Sequence, residues 1–208
     1  MHRRLKLLTL AISAILPLTC TCSCAPPAPK ITLADAPILL DLSPLLPANF
    51  QHLGVTSENL SSRSMFWGTA EISAIELFRS FDPYQMIYAA LIITDSGVER
   101  LVANADLKDA QRMEVLIMDA LKGVAASAGY GLHESEIEIT ITYPNIADFA
   151  VLREGRFSAS GLTSGLDVLG FSSNGVYVYL YSPNIPSNKQ PLVPLAKEIA
   201  QRISTFSH

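Results

Sequence analysis

The strongest constraint on the fold is the dipeptide Asn174-Gly175, which lies between two β-prone runs. The surrounding stretch, residues 165–182, reads GLDVLGFSSNGVYVYLYS. Asn and Gly both tolerate a positive φ, which a type I′ turn requires at its two central positions. The dipeptide therefore predicts a tight hairpin, and two strands joined in this way must be antiparallel.

Four further runs predict strands. Residues 134–144 alternate isoleucine with glutamate and threonine, which is typical of a strand with one wet face. Residues 84–94 are apolar at both alternating sets of positions, as expected of a central strand that is covered on both sides. We also expect a strand over 71–81, with a short helix as the alternative, and a short edge strand in the run ILLDL at 38–42.

Two runs have the periodicity of amphipathic helices. The first is predicted from Asp106 to Ser127, with Asp106 as its cap and glycines at 129 and 131 after its end. The second runs from Pro191 to Phe206. Apolar residues recur at spacings of three and four in both. The sequence therefore predicts an α+β fold, an antiparallel sheet with one long central helix and a C-terminal helix packed on it.

The C-terminal third also resembles known proteins. It contains IAD at 146–148, the Asn-Gly hairpin with VYVYL, and the final helix LVPLAKEIAQRI. This order resembles small exported lipoproteins of uncharacterised function and, more distantly, the fold of PsbP, an extrinsic subunit of a photosynthetic membrane complex. The resemblance implies an α+β sheet and carries over no catalytic or ligand-binding residue.

The first 24 residues have the three-part layout of a secretory signal. Arg3, Arg4 and Lys6 form a basic start, and the uncharged apolar run Leu7–Leu18 follows. Small residues and three cysteines then close the segment. This layout predicts export across a membrane, with the basic end held on the cytoplasmic side.

All three cysteines, Cys20, Cys22 and Cys24, fall within five positions. The stretch resembles a bacterial lipoprotein signal, in which a box of small residues precedes a cysteine that carries acyl chains such as palmitate. Cys24, which follows Ser23, fits best as the lipidated residue, and Cys20 is the alternative. Two other interpretations stay open: a thiolate metal site, and an uncleaved membrane anchor over residues 7–25.

The domain organisation follows from this signal. We predict a signal peptide over residues 1–24, an Ala/Pro-rich spacer over 25–36 and a single α+β domain over 37–208. Proline favours extended polyproline geometry, so the spacer holds the domain away from the membrane. A net charge of −4 argues against a nucleic-acid partner. The predicted location is the cell membrane or envelope, lipid-anchored, with the domain outside the cytoplasm.

One row of aromatic residues is the best candidate for a binding site. Tyr177, Tyr179 and Tyr181 alternate with aliphatic residues, so all three share one face of a strand. An exposed tyrosine row offers large contact area with polar tips. The alternative is that a helix covers the row. Phe66 and Trp67 form a second candidate, either as an exposed contact or as a core anchor.

Residues suited to catalysis or metal binding are sparse. His133, Glu134, Glu136 and Glu138 could bind a hard cation, or could form a charged solvent face. No G-x-S-x-G elbow, P-loop or H-E-x-x-H motif occurs, and we predict no metal and no cofactor. The predicted function is a non-catalytic binding or accessory protein whose partner is an envelope protein or a small ligand. The alternative is a hydrolase-type envelope enzyme that gathers Asp148 with His52 or His133.

Overall fold

The protein is built on one antiparallel sheet. A computed structural model describes residues 31–55, 72–81, 84–94, 96–159, 161–184 and 191–206. Seven strands of these residues form the sheet in the order β1-β2-β3-β7-β6-β5-β4, and every neighbouring pair is antiparallel. The strands are β1 (Phe50–Val55), β2 (Ala74–Phe81), β3 (Tyr84–Ile93), β4 (Ile137–Thr142), β5 (Phe149–Ala159), β6 (Leu162–Ser173) and β7 (Val176–Asn184).

Helices cover both faces of the sheet, so the predicted α+β class is confirmed. The α-helices of the described residues are α1 (Ala36–Leu39), α2 (Gly97–Lys108), α3 (Ala110–Ser127) and α4 (Leu192–Phe206). Short 3₁₀ turns occur at Leu33–Asp35, Ser43–Leu45 and Glu134–Glu136.

One face of the sheet packs against α4 and the N-terminal segment. Its core joins strand residues such as Phe78, Leu91 and Leu180 to Ile199 of α4 and Leu39 of α1. The hydrophobic effect drives this packing, because each buried aliphatic side chain contributes about 2 kcal/mol. We call this side of the sheet the α4 face.

The opposite face packs against α2 and α3. Ile75, Tyr179 and Leu107 belong to one apolar cluster there. Phe157 and Ile117 belong to a second cluster, under α3. Because successive side chains of a strand point to opposite faces, this surface, which we call the α2–α3 face, is separated from the α4 face by the whole sheet.

A glycine permits the close approach of α2 to this face. A Cβ at Gly170 would lie 2.5 Å from Leu107 Cδ1 and 2.9 Å from Tyr179 Cε1. A real Cβ essentially never lies this close to another atom, so a larger residue here would force the Leu107 or Tyr179 side chain to shift.

The predicted hairpin is confirmed. Asn174 has φ 51° and Gly175 has φ 78°, as a type I′ turn requires. Ser173 pairs with Val176 across the turn. This register continues through β6 and β7 and places the three tyrosines on the α2–α3 face.

The helix predicted over 106–127 ends at Ser127 as expected, but its predicted start is wrong, because two helices meet at Asp109. This residue has an extended backbone (φ −72°, ψ 92°), and its side chain accepts a hydrogen bond from the Arg112 amide at 2.9 Å. The predicted cap, Asp106, lies inside α2 and accepts a hydrogen bond from Arg112 at 3.1 Å. An Asp side chain can accept a hydrogen bond from a free backbone amide in the first turn of a helix. Asp109 rather than Asp106 therefore caps α3.

The start of α2 was not expected from the sequence. Ser96 and Glu99 form a reciprocal capping box, in which each side chain accepts from the backbone amide of the other at 3.1 Å. Ser96 therefore caps a helix that starts at Gly97.

The predicted edge strand at 38–42 is also wrong. Its first residues belong to α1, which has Pro37 in its first turn, where the missing amide leaves no helical hydrogen bond unmade. Ile31 and Ala36 are buried in the core of the α4 face, so the packed domain includes part of the predicted spacer.

Candidate functional site

The outward side of α2 is apolar. Val98 is 71% exposed, Leu101 is 70% exposed, and Val102 is partly exposed beside them. The opposite side of the same helix is also apolar, because Ala103 and Leu107 are buried against the sheet. A surface helix normally pairs one apolar side with one polar side, so the outward stripe is unusual. We call Val98, Leu101 and Val102 the α2 stripe.

A shallow depression lies on the first turns of α3, starting at its junction with α2. It has a volume of about 300 Å³ and is lined by Asp109, Gln111, Arg112, Val115 and Leu116. Val115 is itself partly exposed, so α3 also has an exposed apolar residue. The depression has the volume of the smallest small-molecule sites, which usually enclose most of their ligand.

A buried arginine lies beneath the end of α2. Arg153 is only 1% exposed, and its Nη2 donates to the Leu107 carbonyl at 3.4 Å. Neither Nε nor Nη1 has a hydrogen-bond partner. Burial lowers the pKa of Arg153, and the nearby Tyr179 and Tyr143 oppose that shift. A cation at the C-terminal end of a helix interacts favourably with the helix dipole.

Sequence reasoning missed both the α2 stripe and Arg153. A signal for Arg153 exists, since it alternates with Val151, Gly155 and Phe157 on the inward side of β5. This alternation predicts a buried arginine only once residues 149–159 are known to form a strand. The α2 stripe was missed because the helix itself was not predicted.

The structure places the predicted tyrosine row under α2 and α3. Tyr177 and Tyr179 are buried, and Tyr181 is half-buried. The Tyr177 hydroxyl donates to the Arg100 carbonyl at 3.0 Å, and Tyr181 packs edge-on against Tyr88 with ring centroids 5.4 Å apart. The row is thus packed against helices rather than open to solvent, and its binding role stays a prediction.

Burial also changes the acidity of these tyrosines. It raises the pKa of Tyr181 to about 12 and raises the pKa of Tyr179 further. The pKa of Tyr177 is raised for the same reason. All three hydroxyls are therefore neutral over the physiological range, so none is suited to act as a general base.

The residues of the predicted enzyme site are not brought together. Asp148 accepts from the Asn174 amide at 2.9 Å and so supports the β6–β7 turn. His52 lies on β1, five strand positions away from β5, which is a separation of roughly 24 Å. It stacks on Phe78 and pairs with buried Glu76. His133 precedes β4 at the opposite end of the strands from Asp148, roughly 27 Å away.

The predicted acidic group also separates. Glu134 and Glu136 lie in a 3₁₀ turn rather than on the strand that carries Glu138. Glu134 pairs with Lys122 at 2.7 Å, while Glu136 accepts from the His133 amide at 2.7 Å. Across the residues that the structure describes, no group of three or more His, Cys, Asp or Glu side chains is arranged as a metal site.

Several predicted residues lie outside the described part of the chain. They are Cys20, Cys22, Cys24, Phe66 and Trp67. The lipidation site and the tryptophan contact therefore stay predictions. In the described ranges, no helix is both long enough and apolar enough to cross a membrane.

Comparison with known proteins gives similar solved structures, among them two from Mycobacterium tuberculosis. No family model matches the chain, and no curated protein does. The extracellular domain of PknH from Mycobacterium tuberculosis is 10% identical, with a TM-score of 0.47, over 85% of this chain and 98% of that one. LpqN of the same organism, which is involved in cell envelope biogenesis, is 13% identical, with a TM-score of 0.30, over 77% of this chain and 78% of that one. Neither is described as PsbP-like, and that resemblance stays a prediction.

Proposed function

We propose that this chain is an exported, lipid-anchored, non-catalytic binding or accessory protein of the cell envelope, and that the α2 stripe contacts a protein partner. The observation that carries the binding role is the exposure of Val98 and Leu101 on a helix whose other side is already buried. Apolar side chains held on a rigid helix can bury against a partner without first losing much conformational freedom.

The shape of the surface favours a protein partner over a small ligand. The depression at the α2–α3 junction is shallow, whereas small-molecule sites usually enclose most of their ligand. Protein interfaces combine an apolar centre with a polar rim. Here the α2 stripe would form the centre, and the exposed residues Glu99, Lys108 and Asp109 would form the rim.

The anchor and the export rest on the N-terminal sequence. We expect Cys24→Ala to abolish membrane attachment while the domain still folds, because Cys24 precedes Ile31, the first described residue of the core. The measurement is sedimentation with membranes after a carbonate wash, with circular dichroism as the folding control. Persistent sedimentation of the variant would exclude Cys24 as the anchor.

The binding role is tested by photo-crosslinking in the native host. A photoreactive amino acid at position 101 should give one discrete adduct with an envelope protein, and the same residue at the exposed position 201 of α4 should not. Introducing Val98→Asp into the position-101 protein should remove the adduct, because a carboxylate cannot be buried at an apolar interface. An adduct that is insensitive to Val98→Asp would show that the α2 stripe is not the contact.

A further inference from the structure

A second exposed apolar surface lies at the start of the domain. Leu33 and Ile38 are each 60% exposed, and Ala34 and Pro37 beside them are exposed as well. Residues four apart in a helical stretch lie one above the other, so 33 with 37 and 34 with 38 form one surface. The inward residues Ala36 and Leu39 are buried in the core. We call the four exposed residues the N-terminal ridge.

Hydrogen bonds from α4 hold the ridge in a fixed position on the domain. Arg202 of α4 donates through Nη1 to the carbonyls of Ile38, Leu39 and Asp41, at 3.2, 3.4 and 2.6 Å. Arg202 is itself held by Glu198 one turn earlier in α4. A guanidinium that satisfies several carbonyls at the end of a short helix orients that helix. The ridge therefore has a defined direction relative to the sheet.

Chain length places the ridge close to the predicted anchor. Only seven residue steps separate Cys24 from Ile31, which is buried in the core. In polyproline geometry these steps span about 22 Å. If Cys24 carries lipid, the domain begins within about 22 Å of the bilayer surface, and the ridge, which starts two residues later at Leu33, is the apolar surface nearest to the anchor along the chain.

The charge of this segment is compatible with contact to a bilayer. Asp35 is the only charged residue from Ile31 to Leu40. Its carboxylate accepts from both the amide and the hydroxyl of Thr32, each at 2.8 Å, and these hydrogen bonds hold the pKa of Asp35 below its ordinary value. The remaining exposed residues are apolar, so contact with a bilayer would be governed by apolar burial and would depend little on salt.

We propose that the N-terminal ridge docks onto the lipid bilayer that holds the anchor, with Leu33 and Ile38 entering the interface. This inference rests on the proposed lipid anchor. It goes beyond the proposed function because it fixes which side of the domain faces the membrane. The α4 face lies toward the bilayer, and the α2 stripe, beyond the sheet, lies away from it.

The test uses the mature, lipidated full chain in phosphatidylcholine vesicles. Cleavage before Cys24 removes Cys20 and Cys22 and leaves no free thiol, so Leu33→Cys or Ile38→Cys supplies a unique site for an environment-sensitive fluorophore. Leu101→Cys is the matched control, because Leu101 is similarly exposed but belongs to α2. Cosedimentation with the vesicles is measured on the same samples.

We expect labels at 33 and 38 to shift their emission to shorter wavelength and to be quenched by nitroxide-bearing lipids. The label at 101 should do neither. If the labels at 33 and 38 stay as water-exposed as the label at 101 while the protein sediments with the vesicles, docking is overturned and the anchor stands. If the protein does not sediment at all, both the anchor and docking are overturned.

A further variant separates the bilayer from a second copy of the chain as the occupant of the ridge. The labelled Leu33→Cys protein produced from residue 25 onward, which has no lipid and no other cysteine, should show no emission shift in buffer. A shift in buffer that grows with protein concentration would assign the ridge to self-association and overturn the proposal.

Discussion

At the scale of single residues, β5 contains two arginines that point to opposite faces of the sheet. Arg153 lies under α2 with one long hydrogen bond and two unpartnered nitrogens. Arg156 lies on the α4 face, where it pairs with buried Asp167 and with Glu154. A desolvated charge stabilises a fold only when its partners replace the lost hydration, so the two residues should respond differently to substitution.

We predict that Arg153→Met leaves the free energy of unfolding unchanged or raises it by about 1 kcal/mol, because methionine fills a similar volume without a buried charge. Arg156→Met should lower it by about 3 kcal/mol, since Asp167 loses its guanidinium in a buried setting. Urea denaturation of both variants beside the wild type measures this. A loss of more than 2 kcal/mol in Arg153→Met would mean that its bond to α2 outweighs its desolvation.

At the scale of elements, β7 places three tyrosines against α2 and α3, and burial raises the pKa of each. A raised folded-state pKa means that the unfolded chain loses these protons first. Their stabilising contribution is therefore complete below pH 10 and is lost as the pH rises above it. Ionisation of Tyr179 and of Tyr181 in the unfolded chain should each lower the free energy of unfolding by about 1.4 kcal/mol by pH 11.

We therefore predict that the free energy of unfolding falls by about 3 kcal/mol between pH 9 and pH 11 through these two residues. In the Tyr179→Phe variant the free energy of unfolding should fall by about half as much over the same pH range, because phenylalanine has no proton to release. Urea denaturation at several pH values gives the slope of the free energy of unfolding against pH for each protein. Any pH-independent destabilisation caused by the substitution does not change this slope. Equal slopes for the two proteins would contradict the buried, neutral state of Tyr179.

The same elements show what local sequence could and could not predict. The β6–β7 hairpin and α4 follow from a turn dipeptide and a helical period, which are signals contained within a few residues. The division at Asp109 depends on which of two nearby aspartates caps a helix, and periodicity continues across the break. The strand order and the burial of the tyrosines depend on long-range packing, which no short stretch specifies.

The candidate surfaces could not be predicted for a related reason. An exposed leucine and a buried leucine are identical in the sequence, and α2 has apolar residues on both sides. Only the placement of the helix on the sheet separates Leu107, which packs, from Leu101, which is exposed. The predicted anchor differs, because its signal is the linear order of charge, apolar run and cysteine.

At the scale of the whole molecule, the sheet separates two apolar surfaces with different proposed occupants. The N-terminal ridge belongs to the side packed on α4, and the α2 stripe lies on the other side. A domain tethered by only seven residue steps cannot turn freely, so a short spacer and a docked ridge together would present the α2 stripe to the envelope space. The length of the spacer thus becomes an experimental variable.

We predict that inserting about 20 Gly/Ser residues between Lys30 and Ile31 weakens docking without releasing the protein from the membrane. The insertion adds about 25 Å of root-mean-square reach to the tether. The effective concentration of the ridge at the bilayer should fall roughly eightfold, because it scales with about the −3/2 power of tether length. The label at position 33 should then be less quenched by nitroxide lipids, while the protein still resists a carbonate wash. Unchanged quenching with the long spacer would mean that the tether does not set the orientation of the domain, and the α2 stripe would owe its outward position to the ridge contact alone.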